Sequence, residues 1–283
     1  MAEPDPAPRS SVASSGAPAD PSPGSGRRRA LVTGASSGIG AAYARRLAAD
    51  DWDLVLVARR VEALERLAGE LGERRHVKAE VLPADLTVAA DLTRVEEVLR
   101  EPALELLVNN AGFGSVGAFH EGDVERDVRM LRLNVEAVVR LSHAALGAMV
   151  RRGRGAVVNV SSGAGLIPMP FYAVYAGTKA FVTSFTECLA EELAGTGVRV
   201  QALCPGLTRT EFQEVAHADT SRLPAFLWQD ADEVVEASLE GLRRGSLIVV
   251  PGGKNRALLA LRGPLARSAT RRAMGYLGRR GWI

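Results

Sequence analysis

The chain has 283 residues, 47% of them hydrophobic and 24% charged, with a net charge of +2. That balance is ordinary for a globular chain, and the roughly 254 residues outside the N-terminal segment are enough for one large domain with a real core. Two cysteines (Cys188, Cys204) and four scattered histidines (His76, His120, His143, His217) offer neither a disulfide framework nor a metal-ligand set, so no metal is expected.

Residues 1–26 are rich in Pro, Ser, Ala and Gly and hold almost no large apolar side chain. They are expected to form a disordered tail, reaching to residue 28, ahead of a folded domain over residues 29–252. No apolar run of the secretory type follows the tail's few charges. No run of about 18 uncharged apolar residues is present to span a bilayer either, so a cytoplasmic location is expected. Arg27, Arg28 and Arg29 lead into a short apolar run, Ala30 to Thr33, read as the first strand.

Gly34 to Gly40 reads G-A-S-S-G-I-G, with a helical pattern from near Ile39. Small residues let the backbone turn sharply and approach a pyrophosphate at a helix N-terminus, which marks Gly34, Ser36, Ser37, Gly38, Ile39 and Gly40 as dinucleotide-binding candidates. The second strand, residues 54–58, ends in Ala58-Arg59-Arg60. Dinucleotide folds that read a ribose 2′-hydroxyl carry an acid at this point, and a guanidinium there suits a 2′-phosphate instead. Arg59, assisted by Ser36, therefore favours NADP(H) over NAD(H).

A helix over 61–71 follows, with a third strand at 77–82 ahead of Asp85-Leu86-Thr87, where a side chain can meet an adenine edge. After a helix over 88–100, the fourth strand (104–108) runs into Asn109-Asn110-Ala111-Gly112, candidates for the cofactor wall. A long helix over 123–151 carries Asn134. The fifth strand, 155–160, ends at Ser161-Ser162, and a helix over 172–195 follows. The sixth strand, 198–204, exits through Pro205-Gly206-Leu207-Thr208, where Thr208 or Thr210 could bond a carboxamide. An irregular stretch over residues 205–230 separates it from a helix over 231–243 and a last strand at 247–250. Strands apolar throughout, alternating with helices, predict a doubly wound α/β domain with a parallel sheet covered on both faces.

Tyr175 and Lys179 stand four apart on the helix over 172–195 and share one face. An ammonium beside a phenol stabilises the phenolate and lowers its pKa, which suits proton transfer. Ser162 lies 13 residues before Tyr175.

TGASSGIG, DLT, NNAG, the helical Asn134, VSS, YAGTK and PG, in this order over residues 28–252, resemble the single-domain branch of the short-chain dehydrogenase/reductase family. The resemblance implies a Rossmann sheet of about seven strands and hydride transfer between a nicotinamide and a carbonyl or alcohol. On that pattern Tyr175 donates the proton and Lys179 lowers its pKa and holds the nicotinamide ribose. Ser162, rather than Ser161, binds the substrate oxygen, and Asn134 anchors a water that links Lys179 to solvent. It also implies a homodimer or homotetramer built on the long helices. Apolar residues between Phe212 and Trp228 (Val215, Leu223, Pro224, Phe226, Leu227) cover the usual substrate side and suit a lipophilic or acyl-type ketone, or a lid packing on its own domain.

From Gly241 to Ile283 there are ten Lys or Arg and no Asp or Glu, leaving −8 on the rest. Residues 253–283 are expected to form a basic helical extension, similar to that of a lipid-leaning subset of the family that includes oxoacyl reductases. The extension either solvates the end of the domain or makes a peripheral membrane contact; no nucleic-acid partner is expected. The reading that competes with an NADP(H)-dependent carbonyl reductase is a catalytically silent NADP(H) sensor or membrane-surface regulator.

Overall fold

The computed structural model describes residues 27–216, 224–260, 268, 271–273 and 275–276, without the side chains of 257–260. The tail to residue 26, His217, Leu223 and most of the C-terminal extension lie outside the described residues.

Seven strands form one sheet: β1 (Arg29–Thr33), β2 (Asp53–Ala58), β3 (Ala79–Pro83), β4 (Leu104–Asn109), β5 (Gly155–Val160), β6 (Val198–Leu203) and β7 (Ile248–Val249). Their order is β3-β2-β1-β4-β5-β6-β7, and every pairing is parallel. The helices are α1 (Gly38–Ala49), α2 (Val61–Arg75), α3 (Ala89–Leu99), α4 (Val124–Leu131), α5 (Ala137–Arg152), α6 (Ala173–Glu192), α7 (Phe212–Val215), α8 (Ala231–Arg243) and α9 (Gly253–Ala260). This is the expected doubly wound sheet.

Alternation along each strand divides the apolar side chains between two cores. Ala30, Val32, Leu54 and Leu56 pack with Leu47, Leu64 and Val234 on the face covered by α1, α2 and α8. Leu31, Val55 and Val57 pack on the other face with Leu92, Leu141 and Met149 from α3 and α5. A fully buried Leu or Val contributes about 1.5–3 kcal/mol, so both faces must stay dry, and this explains the unbroken apolar runs Ala30–Val32 and Leu54–Val57 of the central strands. α2 runs on to Arg75, four residues past the expected end, and stops where His76 turns left-handed at φ 55°. Leu71 is its last buried side chain, which is why the apolar period breaks off before the helix does.

The helix expected over 123–151 is α4 and α5 joined by one π-helical turn, Arg132–Glu136. Such a turn inserts a residue into the helical ladder and often marks a functional position. Here it carries Asn134, which is wholly buried.

Because the sheet is parallel, the carboxyl ends of all strands open on one edge. The loops after β1, β4, β5 and β6 meet there, the place where ligands bind in sheets of this kind.

Candidate active site

The turn after β1 is fixed by glycine geometry. Gly34 has φ +66°, and a Cβ on Gly40 would lie 2.2 Å from the Gly34 carbonyl oxygen. The turn is then tied to the loop after β4. Asn110 Nδ2 donates to the Thr33 and Gly34 carbonyls at 2.9 and 3.3 Å. The backbone N–H groups of Asn110 and Ala111 both donate to Thr33 Oγ1, at 2.9 and 3.0 Å. Ser37 starts α1 without capping it through its own side chain, which leaves the first-turn N–H groups for an anionic group. A backbone-lined cradle at a helix N-terminus fits a dinucleotide pyrophosphate.

Around it stand the other cofactor candidates. Asp85 accepts from the Thr87 backbone and hydroxyl at 2.9 and 2.7 Å, so its carboxylate rigidifies its own turn, and Leu86 is buried. Arg59 is exposed at the end of β2. The guanidinium that reaches the glycine turn is Arg60, whose Nε and Nη2 donate to Ser36 Oγ at 3.2 and 3.1 Å. At Gly112 a Cβ would sit 2.9 Å from Asn134 Oδ1 and 3.5 Å from Lys179 Nζ, which brings the NNAG loop against the catalytic candidates. Gly206 packs on Asn255 at the start of α9, whose Nδ2 donates to Gln229 Oε1 at 2.8 Å and to the Pro251 carbonyl at 3.1 Å. Thr208 is buried and bonds the Gly206 carbonyl at 3.2 Å. Thr210 Oγ1 accepts from the Phe212 N–H, at the start of α7, at 3.2 Å.

The two serines that follow β5 separate by strand alternation. Ser161 Oγ donates to the Lys179 carbonyl at 2.7 Å and bonds Thr183 at the same distance, so it fastens α6 to the sheet. Ser162 points the other way, its hydroxyl hydrogen-bonded to Tyr175 and accepting from the Ala164 N–H at 3.1 Å. Tyr175 is 8% exposed and Lys179 5%. The Lys179 Nζ donates to the Val160 carbonyl at 2.8 Å and lies 5.9 Å from the Tyr175 ring centre.

Burial dominates both groups. Desolvation pushes the Tyr175 phenol up to about 12, opposed by the Ser162 hydrogen bond, and pulls the Lys179 ammonium down to about 8. This differs from the expected lowering of the phenol pKa by Lys179. The ammonium is held on a backbone carbonyl rather than on the phenol, and desolvation acts on each group toward its neutral form. Asn134 spends its side chain on structure: Nδ2 donates to the Phe113 carbonyl and Thr178 Oγ1 at 2.9 and 3.1 Å, while Oδ1 accepts from the Phe113 N–H at 3.2 Å.

Phe212 packs on Tyr175 with ring centres 5.4 Å apart, and Tyr172 meets the same ring edge-on at 6.5 Å. At the start of α6 opens a cleft of about 480 Å³, lined by Phe119, Pro170, Phe171 and Ala173 together with Arg271 and Arg272. Phe171 holds a left-handed backbone at φ 69°, a strained conformation for a bulky residue that is found mostly where function demands it. Among the described residues no group of three His, Cys, Asp or Glu could hold a metal ion, and no helix is long and apolar enough to cross a membrane.

This edge, with its glycine cradle and its Ser, Tyr and Lys, agrees with the comparisons. A family model described as short chain dehydrogenase matches residues 28–221. The chain belongs to the short-chain dehydrogenase/reductase family. A short-chain dehydrogenase from Sphingobium yanoikuyae in complex with NADPH is 39% identical, with a TM-score of 0.76 over 90% of this chain and 94% of that one. A bulky-bulky ketone specific alcohol dehydrogenase from Comamonas testosteroni is 36% identical, with a TM-score of 0.73 over 87% and 94%. A very-long-chain 3-oxoacyl-CoA reductase-like protein of Arabidopsis thaliana is 36% identical over 69% of this chain, the match spanning 64% of the relative's length. Sulfoacetaldehyde reductase 2 of Chromohalobacter salexigens is 37% identical over 73% of this chain and 84% of its own.

Several contributors to this edge escaped sequence reasoning. Thr33 and Asn255 act through hydrogen bonds to residues 77 or 26 positions away, and no local pattern announces them. Arg60 was visible beside Arg59, but only the start of α2 decides which of the two guanidinia turns toward Ser36.

Proposed function

We propose that the chain is an NADP(H)-dependent oxidoreductase that reduces a lipophilic or acyl-type ketone to a secondary alcohol. The observation that carries this reading is the buried Tyr175 phenol, hydrogen-bonded to Ser162, with Lys179 one turn along α6 and the glycine cradle on the same sheet edge. The cofactor supplies the hydride when bound. The cradle of Gly34, Ser36, Ser37, Gly38, Ile39 and Gly40 holds the pyrophosphate side, with Asp85, Leu86, Asn110, Ala111 and Gly112 along the adenosine and ribose. Pro205, Gly206, Thr208 and Thr210 border the nicotinamide end.

Ser162 donates to the substrate oxygen and stabilises the charge that develops there. Tyr175 delivers the proton to that oxygen. Its high pKa keeps it protonated at neutral pH, the form that reduction requires. Lys179 holds the ribose and, as an ammonium, favours the phenolate left behind. Asn134 fixes Phe113 and Thr178 and so maintains the wall beside Lys179.

The phosphorylated cofactor is supported by Arg59 and Arg60 where an acid would bind a 2′-hydroxyl, and by a neighbour solved with NADPH. A bulky apolar substrate is supported by Phe212 on Tyr175, by Phe119 and Phe171 lining the cleft at the start of α6, and by relatives named for very-long-chain 3-oxoacyl-CoA and bulky ketones. The stacked Phe181 and Phe185 on the outer side of α6 support a homodimer or homotetramer built on the long helices. The basic residues after Gly253 leave a peripheral membrane contact open to a vesicle assay.

The test is NADPH oxidation against ketones graded in chain length. Rates should rise with chain length, and Tyr175→Phe should lower kcat by about 10²–10⁴-fold, the range for loss of a positioned proton donor. An undiminished Tyr175→Phe rate would refute the proton-donor role. Turnover confined to small polar carbonyls would refute the lipophilic substrate.

A further inference from the structure

The segment after β6 lays three consecutive side chains across the cofactor edge. Thr210 sits over the glycine turn, where a Cβ on Gly38 would come within 2.9 Å of its Cγ2. Phe212 lies on Tyr175. Between them, the Glu211 carboxylate stands 2.9 Å from Arg60 Nη2 and accepts a hydrogen bond from Ser37. Arg60 is at the same time bonded to Ser36. A carboxylate of this chain thus occupies a guanidinium, and touches a hydroxyl, that form the anion-binding side of the cradle.

We propose that Glu211 is a specificity-determining residue, an internal carboxylate that competes with the cofactor's 2′-phosphate for Arg60. The inference rests on the NADP(H) reading above. A 2′-phosphate that pairs with Arg60 must displace the Glu211 carboxylate or lie beside it, and like charges at one guanidinium repel. A cofactor without that phosphate makes no demand on Arg60 and leaves the pair as it is. Glu211 therefore narrows the difference in affinity between the two cofactors. The same displacement frees the residue between Thr210 and Phe212, so it loosens the segment that covers Tyr175.

The experiment is direct fluorescence titration of the full chain with NADPH and with NADH, for the parent, Glu211→Gln, Arg60→Met, the double variant and Arg59→Ala. Glutamine keeps the shape and hydrogen-bonding of the side chain and removes its charge. Both side chains of the pair are about half exposed (50% and 51%), which sets a modest scale. Glu211→Gln should tighten NADPH about two- to five-fold and leave NADH unchanged. The gain should vanish in the Arg60→Met background and shrink as salt rises.

Unchanged or weaker NADPH binding by Glu211→Gln overturns the proposal. So does an equal gain for both cofactors, which would mean a looser lid and no competition at the phosphate. A gain that survives Arg60→Met overturns it as well. If Arg59→Ala abolishes the NADPH preference and Arg60→Met does not, the cofactor reading stands and the Glu211 proposal falls. A parent that binds NADH as tightly as NADPH fails the cofactor reading, while the change on Glu211→Gln still judges Glu211.

Discussion

The turn after β1 and the segment after β6 face each other across the same edge, yet they are held by different forces. The first is backbone geometry, Gly34 at φ +66° and Gly40 against a carbonyl, fastened by the buried Thr33 hydroxyl and the Asn110 amide, each bonded to backbone. The second is pinned to Gln229 by backbone hydrogen bonds at Leu207 and Arg209, both 2.9 Å, and past Arg209 rests on side-chain chemistry: the half-exposed Arg60–Glu211 pair and the Phe212–Tyr175 contact. Exposed ion pairs contribute about 0–1 kcal/mol each, whereas a misplaced atom in a packed turn costs more. The cradle is therefore a rigid reference, and the residues past Arg209 are the part able to move. Specificity can change on the second without disturbing the first.

The largest effect should come from breaking the turn. Gly40→Ala puts a methyl 2.2 Å from the Gly34 oxygen and 2.6 Å from Asn110 Nδ2. It should destabilise the fold by about 3 kcal/mol, at the upper end for overpacking, and abolish cofactor binding. Gly69→Ala in α2 is the control, since nothing lies within 4 Å of its added methyl, and it should stabilise by up to about 1 kcal/mol. Urea unfolding distinguishes the two, and equal midpoints for them would refute the turn's rigidity.

Next in size is the ammonium between the two regions. The folded Lys179 pKa, near 8, lies below the ordinary 10.5, so the folded state binds fewer protons than the unfolded one between those values. Its penalty is full below about pH 8 and is relieved as pH rises toward 10.5. Tyr175 titrates later, its folded pKa raised from 10 to about 12, so it costs stability only above about pH 10. Lys179→Met should then be more stable than the parent by about 1–3 kcal/mol at pH 7, the gap narrowing above pH 8 and closing only near pH 10.5, while turnover is lost. A variant less stable than the parent at pH 7 would contradict this balance.

The smallest effect on stability should be at Phe212, which is half-buried. Phe212→Ala should leave the unfolding midpoint within about 0.5–1 kcal/mol of the parent, as expected of a site outside the cores. It should raise KM for long-chain ketones more than for short ones. An unfolding midpoint as low as that of Gly40→Ala would place the segment among the rigid parts.

Much of the fold was legible because its signals are local. Apolar runs of strand length and helical periods marked each element, and the ends differ where a left-handed residue or a short edge strand intervenes, as at His76 and at β7, reduced to Ile248–Val249. The preference for Ser162 over Ser161 came from the family's spacing. What the structure adds is that Ser161 Oγ is already engaged on the Lys179 carbonyl. The expectation that Lys179 lowers the Tyr175 pKa followed from their shared helical face, but a shared face says nothing of burial or of the Val160 carbonyl waiting for the ammonium.

By itself the sequence determined the parallel doubly wound sheet, the glycine cradle and the identity of the Ser, Tyr and Lys candidates, since each depends on periodicity, conformational freedom or spacing within a short stretch. Tertiary structure alone decided which arginine turns to Ser36, that Glu211 meets it, that Asn134 sits buried in a π-helical turn, and which way desolvation moves Tyr175 and Lys179. Those outcomes depend on side chains far apart in the chain and on how much water the packing leaves between them.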